Sequence, residues 1–432
     1  MIVRFPRAFA HFRKPRLSRT TRLALLVLTI AALAEIYVHT RQFAVRQPTR
    51  NLDEPFYTSC QEPAVDAPRE NAAIVMLVRN SELEGALKTV HSLERHFNRW
   101  FHYPMVFLND EPFSYDFQRA MNESTSGGAR FELIPKEEWS FPEWMDERAA
   151  TKSIAAQGRA GIMYAGMESY HHMCRFYSGK FYTLEALRDY KWYWRIEPDV
   201  DFYCSISYDP FVEMARRDKV YGFTISLIEG ADTCPTLFRQ ISDWKEKHGY
   251  RTTELWKAMV SPSWVPWPFR SMMSWFRARD SKGDSWSLCH YWSNFEIADL
   301  DFFRGQDYQG LFNHLDRTGG FYYERWGDAA VHSLALGMLL DPEKVHHFED
   351  LGYRHDFFFQ CPANAQGGQR WESQVLGSDP TYTSWSPERP GGIGCRCECD
   401  GAVTRNMGNY CLDRLKKPST KKLVESTRGG VW

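Results

Sequence analysis

No sign of charge dominates this 432-residue chain: 53 lysines and arginines stand against 54 aspartates and glutamates, a formal net charge of -1. A domain that neutralises a phosphate backbone needs a basic excess, so no nucleic-acid partner is expected. Internal repeats and long low-complexity segments are missing too, which excludes a solenoid. Cysteines spaced as CxxC are absent. The C-terminal cluster instead runs Cys395, Cys397, Cys399 and then Cys411, so a disulfide framework is expected in preference to a zinc site or free thiols, with its pairing open. Acidic residues are wanting from the first 22 positions, where Arg4, Arg7, Arg13, Lys14, Arg16, Arg19 and Arg22 accumulate.

That basic stretch leads into the apolar run 23–38, LALLVLTIAALAEIYV. A basic flank stays cytoplasmic, so the pattern predicts a type II signal anchor at 23–38 behind a cytoplasmic tail at 1–22. The run is short for a bilayer and contains Glu35. A cleaved signal peptide, for which Ala31, Ala32 and Ala34 supply small residues, and a buried or amphipathic helix are the competing readings. A short span suits a thin, early secretory membrane such as the Golgi. Residues 39–70 carry Pro48, Pro55, Pro63 and Pro68 among polar residues and read as a stem. The remainder, 71–432, is then a lumenal domain, in keeping with its cysteines. Asn122-Glu123-Ser124 is a glycosylation sequon in a stretch expected to form an exposed loop.

Residues 72–78, AAIVMLV, form a continuous apolar run of buried-strand length, followed by Leu83, Leu87, Val90, Leu93 and Phe97 at helical spacing. Further strands are expected at 105–108, 131–134, 192–196, 221–225 and 295–300, and a helix at 328–339. One open, mixed α/β sheet flanked by helices accounts for all of them. The segment 252–286 stands apart, with Trp256, Trp264, Trp267, Trp275 and Trp286 among prolines. It reads either as a core-packed insertion or as an exposed loop near the site, where tryptophan faces stack on sugars.

Three constellations could carry chemistry. In WYWRIEPDVDF an aromatic strand runs into Glu197, Asp199 and Asp201, and acidic residues one apart at a strand end suit a divalent cation held against a diphosphate. A solvated turn is the plain alternative. In CHYWSNFEIADL, Glu296 sits in an apolar and aromatic setting where a carboxylate needs partners. It fits a nucleophile, a stabiliser of positive charge, or a structural partner of Arg304 or Arg325. In FYYERWGDAAVH, Asp328 reads as a helix N-cap with His332 one turn later. His346, His347 and His355 follow in a loop-like stretch, where metal binding competes with ordinary surface placement.

Taken together, WYWRIEPDVDF, YHHMCRFYSGKFY, HYWSNFEIADLDFFR, GGFYYERWGDAAVHS and HHFEDLGYRH resemble the fungal Golgi α-1,2-mannosyltransferases, glycosyltransferase family 15, over residues 71–361. The resemblance implies a single GT-A-like domain with a mixed, Rossmann-like sheet behind a transmembrane anchor. It implies retaining transfer of mannose from GDP-mannose, with manganese, to mannosylated glycoprotein acceptors at the Golgi membrane. By the same resemblance Glu197 and Asp199 belong to the metal and donor motif, Glu296 is the proposed nucleophile, and Tyr170 contacts donor and acceptor. Arg79 is a donor contact, Asp328 an active-site carboxylate, and His355 a metal ligand preferred over His332. A longer 252–286 connection is the main departure and bears on acceptor preference. A glycosidase, which also needs two carboxylates, and a catalytically inactive lumenal glycan-binding or assembly subunit are the alternatives.

Overall fold

The computed structural model describes residues 18–370, 373–377, 382–400 and 409–422. Most of the expected basic tail, residues 1–17, lies outside them.

Seven strands build the central sheet: β1 (Ala72–Leu77), β2 (Met105–Asn109), β3 (Ala129–Leu133), β4 (Trp192–Ile196), β5 (Tyr221–Phe223), β6 (Glu296–Asp299) and β7 (Val345–His347). Their order is β7-β5-β6-β4-β1-β2-β3. β6 alone runs against its neighbours, antiparallel to both β4 and β5, whereas the other pairings are parallel. The expected mixed α/β sheet is therefore the observed one. The central strands are buried on both faces, as a sheet covered on both sides requires. Ala73, Val75 and Tyr193 enter one core, and Ile74, Met76 and Trp194 the other.

Four helices matter below: α1 (Arg19–Gln42), α2 (Leu83–Leu93), α3 (Glu168–Gly179) and α4 (Asp328–Leu339). α2 links β1 to β2. α4, DAAVHSLALGML, is apolar around its circumference and buried along nearly its whole length, the pattern of a core helix. Its N-cap is Gly327, not Asp328 as the sequence suggested; Asp328 sits in the first turn and turns its carboxylate elsewhere.

α1 is longer than the apolar run and is long and apolar enough to cross a membrane. Glu35, the residue that weakened the anchor reading, is matched: its carboxylate accepts from the Arg270 guanidinium and from the Trp267 N–H at 3.0 Å. One turn on, His39 Nε2 lies 2.8 Å from Asp284 Oδ1. Residues 43–70 form no helix or strand but lie along the domain, where Phe56 stacks on His346 with centroids 3.7 Å apart. Asn122 is exposed, though on the last turn of a helix rather than in a loop.

Four disulfides join Cys60 to Cys395, Cys204 to Cys397, Cys289 to Cys411 and Cys361 to Cys399. Each cysteine of the C-terminal cluster thus pins the tail to a different part of the chain. Cys174 and Cys234 are free and buried.

Candidate active site

The parallel strands β4, β1 and β2 end on one edge of the sheet, where ligands bind in α/β folds. A cleft of about 210 Å³ opens there. Its walls come from the residues that leave those strands, Arg79 after β1, Asn109 and Asp110 at the end of β2, and Glu197 and Pro198 after β4, with Tyr170 and Tyr177 from α3. Asn109 Nδ2 and the Tyr177 hydroxyl are buried and find no partner among the described residues, so two polar groups at this edge have capacity left for a ligand.

The turn after β4 is bound to α2. The Thr89 hydroxyl donates to the Glu197 carbonyl at 2.9 Å and accepts from the Val200 N–H at 3.0 Å. Asp199 has φ of 61°, the left-handed region that aspartate tolerates better than most residues, and its N–H donates to the Gly85 carbonyl at 3.1 Å. Its carboxylate lies so close to α2 that a Cβ on Gly85 would come 2.5 Å from Oδ2. Only glycine leaves that space. Asp201, the third acid of the motif, is drawn away to Lys88 at 3.2 Å.

Beneath the cleft floor lies Arg195, a residue passed over in the sequence. It is buried in β4, with its guanidinium 3.5 Å from the Tyr177 ring centroid. Nη2 donates to Glu197 Oε1 at 2.6 Å and Nη1 to Asp328 Oδ2 at 2.5 Å. Asp328 also accepts from the Ser293 hydroxyl at 2.7 Å. Burial would raise the Asp328 carboxyl, but Arg195, His332 and these hydrogen bonds outweigh it and hold the group below the usual carboxylate range.

Glu296, the first residue of β6, is fully buried. It pairs with neither Arg304, which donates to the carbonyls of Tyr182, Tyr190 and Leu187, nor Arg325, which binds Glu229. Instead it accepts from the Tyr193 hydroxyl at 2.9 Å and the Tyr221 hydroxyl at 3.0 Å, and His332 Nδ1 lies 3.1 Å from Oε2. Tyr193, Tyr221 and His332 were not foreseen as its partners.

Tyr170 lines the cleft under the Arg325 guanidinium, 5.5 Å from its ring centroid. Burial, with Cys174 beside it, raises its phenol well above the ordinary value, so it remains a neutral hydroxyl. His355 lies on a short strand, Tyr353–His355, that pairs with Asp201–Phe202 and so follows directly on the acidic turn. Its ring stacks on Trp292 and its Nδ1 meets the Asn294 amide. His346 and His347 are buried on Asp53 and on the Thr224 carbonyl, which leaves them structural roles. Among the described residues, no group of three or more His, Cys, Asp or Glu side chains stands ready as a metal cage.

Comparison with known proteins gives a consistent picture. A family model described as glycolipid 2-alpha-mannosyltransferase matches residues 34–374. The O-glycoside alpha-1,2-mannosyltransferase homolog 4 of Schizosaccharomyces pombe is 42% identical over 81% of this chain and 86% of its own length. Among solved structures, the Mn/GDP form of core-mannan synthase A (CmsA/Ktr4) from Aspergillus fumigatus superposes with a TM-score of 0.62 at 36% identity, covering 84% of this chain and 91% of that one. The mannosyltransferase Ktr4p of Saccharomyces cerevisiae in complex with GDP gives 0.67 at 30%, covering 91% and 92%.

Proposed function

We propose, for a chain that belongs to the glycolipid 2-alpha-mannosyltransferase family and is a glycosyltransferase of that family, the following specific activity. It transfers mannose from GDP-mannose, with retention, to the 2-position of mannose-terminated glycans on proteins. The transfer depends on a divalent cation, in a Golgi membrane, with α1 as a type II anchor. The observation that carries this reading is the acidic turn Glu197-Pro198-Asp199, held at the tip of β4 on the rim of a cleft that also presents Arg79, Asn109 and Tyr170.

Residues on that rim suit a hard cation. Such an ion takes one or two protein carboxylates and completes its shell with phosphate oxygens, so a complete protein cage is not required. Glu197 and Asp199 would hold it, with His355 from the adjoining strand. A turned Asn294 amide would accept from His355 Nδ1–H and leave Nε2 with its lone pair for the metal, the usual support of a ligating histidine. Bound there, manganese would neutralise the charge that develops on the departing GDP.

The chain's own groups account for the rest. Arg79 stands where it reaches a phosphate, and the spare donors of Asn109 and Tyr177 face the donor's polar edge. Tyr170, neutral and carried on α3 in the wall of the cleft, orients the acceptor. Glu296 acts as a stabiliser of positive charge on the sugar ring, not as a nucleophile. Both oxygens of Glu296 accept hydrogen bonds, from Tyr193 and Tyr221, and the carboxylate is fully buried and outside the lining of the cleft. The carboxylates of Glu197, Asp328 and Glu296 gather around one guanidinium in a site shielded from water, where fixed charges act strongly on an oxocarbenium-like state.

Incubation of the full-length chain with GDP-mannose, manganese and α-methyl mannoside tests the reading. An α-1,2-linked disaccharide, abolished by EDTA and by Glu197→Ala, is expected. Donor binding without product would point instead to an inactive glycan-binding subunit.

A further inference from the structure

We infer that the tryptophan-rich insertion is a membrane-seating platform: the segment from Pro262 to Phe276 rests in the headgroup and upper acyl region of the bilayer that α1 spans. The inference takes α1 as the anchor, and is otherwise independent of the chemistry proposed above.

Composition and exposure come first. Between Pro262 and Phe276 the only charged residue is Arg270, and that residue is turned inward onto Glu35. The large apolar side chains point the other way: Trp264, Trp267, Phe269, Met272, Trp275 and Phe276 are 47–79% exposed. Residues 269–275 form a 3-10 helix, in which positions three apart lie above one another. Phe269, Met272 and Trp275 therefore share one edge, while Arg270 and Met273 share the inward one. A soluble surface rarely presents so much contiguous apolar area, and tryptophan is the residue enriched where a membrane meets water.

Height relative to the membrane decides the occupant. Trp267 donates its N–H to Glu35, and Arg270 pairs with the same carboxylate. Glu35 lies inside the apolar run that ends at Val38; at 1.5 Å per residue this is about 5 Å short of the run's end. The backbone of the insertion is thus fastened to the anchor at a level where the surrounding medium is lipid headgroup or hydrocarbon. At that level Leu33, Tyr37 and Val38 of α1 are exposed as well, so the apolar surface of the insertion continues that of the helix. The same contacts give Glu35 a reason to stand in an apolar run, since a lumenal Arg270 compensates it at the interface.

The platform is joined rigidly to the domain. Arg239 donates to the carbonyls of Ser274, Phe276 and Arg279, and Arg277 Nη2 binds Glu324 Oε1 at 2.6 Å. Glu324 adjoins Arg325, which covers Tyr170. Seating the platform therefore fixes the cleft at one height and tilt over the membrane, where acceptors tethered to the same membrane would meet it.

The test uses the full-length chain in single-copy phospholipid nanodiscs, with hydroxyl-radical footprinting read by mass spectrometry. Co-elution of the chain with the discs reports on the anchor; the footprint reports on the platform. Trp264, Trp267, Met272 and Trp275 should oxidise several-fold more slowly than Trp144 and Trp385, although the three tryptophans of the platform are 71–79% exposed and the two references 49% and 63%. Lipids brominated near the headgroup should quench part of the tryptophan emission, and that part should vanish in the variant Trp264→Ser/Trp267→Ser/Trp275→Ser. Oxidation of the four residues at the rate of Trp144 and Trp385 overturns the proposal. Protection without bromolipid quenching also overturns it, and assigns the face to a protein partner.

Discussion

Arg195 and Glu296 stand opposite each other in register across the antiparallel pair of β4 and β6, with Nη1 4.0 Å from Oε1. Because β6 runs against the sheet, its first residue meets the C-terminal end of β4. The carboxylate is thereby set under the acidic turn that Arg195 also supports. Had β6 been parallel, Glu296 would lie at the far edge of the sheet.

Arg195 bridges Glu197 to Asp328 in a buried site, so removing it strands two carboxylates. Arg195→Gln should lower stability by about 3–5 kcal/mol, as loss of one partner of a buried pair does. Thermal unfolding in detergent, alongside turnover, checks this. An unchanged midpoint would mean that the bridge is not formed.

Glu296→Gln keeps the volume and removes the charge. Turnover should fall about 100-fold, the scale of a lost electrostatic contact in the transition state, with GDP affinity unchanged by calorimetry. A mannosyl adduct on Glu296, found by mass spectrometry of the stalled wild-type enzyme, would restore the nucleophile.

Gly85→Ala tests the proposed cation site without altering either of its carboxylates. The added methyl, 2.5 Å from Asp199 Oδ2, must displace that carboxylate. The manganese concentration for half-maximal activity should rise about 10–100-fold, as for other supports of metal ligands. Because the change lies in a helix that alanine favours, thermal stability should hold.

Two buried aspartates give opposite pH dependence. Burial pushes Asp350 up to about 7, despite the Tyr208 hydroxyl that donates to it at 2.7 Å. A raised carboxyl contributes fully below its unfolded value of 3.8 and loses that contribution as pH climbs through 7. Asp350→Asn should therefore raise the unfolding temperature at pH 8 and leave it unchanged at pH 3. Asp328, held low by Arg195, behaves in reverse: its contribution is present above 3.8 and disappears as acid protonates it. Unfolding temperatures of wild type and Asp350→Asn measured at both pH values separate the two effects.

Alkylation of the unfolded, unreduced chain should label two thiols, Cys174 and Cys234, since the other eight cysteines are paired. Labelling of Cys395, Cys397 or Cys399 would contradict the bonded tail.

Much of this molecule is local, and locality is what a sequence records. The apolar runs at 72–78 and 192–196 and the helical spacing of Leu83, Leu87, Val90 and Leu93 in α2 set strand and helix without reference to neighbours, because period and run length are local. The acidic turn was legible for the same reason, being one short stretch at a strand end. Arg195 left a signal as well, a lone cation in an apolar strand, of the same kind that singled out Glu296.

The tertiary structure alone decided which distant groups meet. The antiparallel entry of β6 chose Tyr193, Tyr221 and His332 over Arg304 and Arg325 as the partners of Glu296. Four disulfides were assigned by proximity across separations of 38 to 335 residues, and Arg270 was brought back to Glu35. Periodicity is fixed by the backbone's own geometry, whereas pairing depends on how the elements are stacked, and no single segment contains that information.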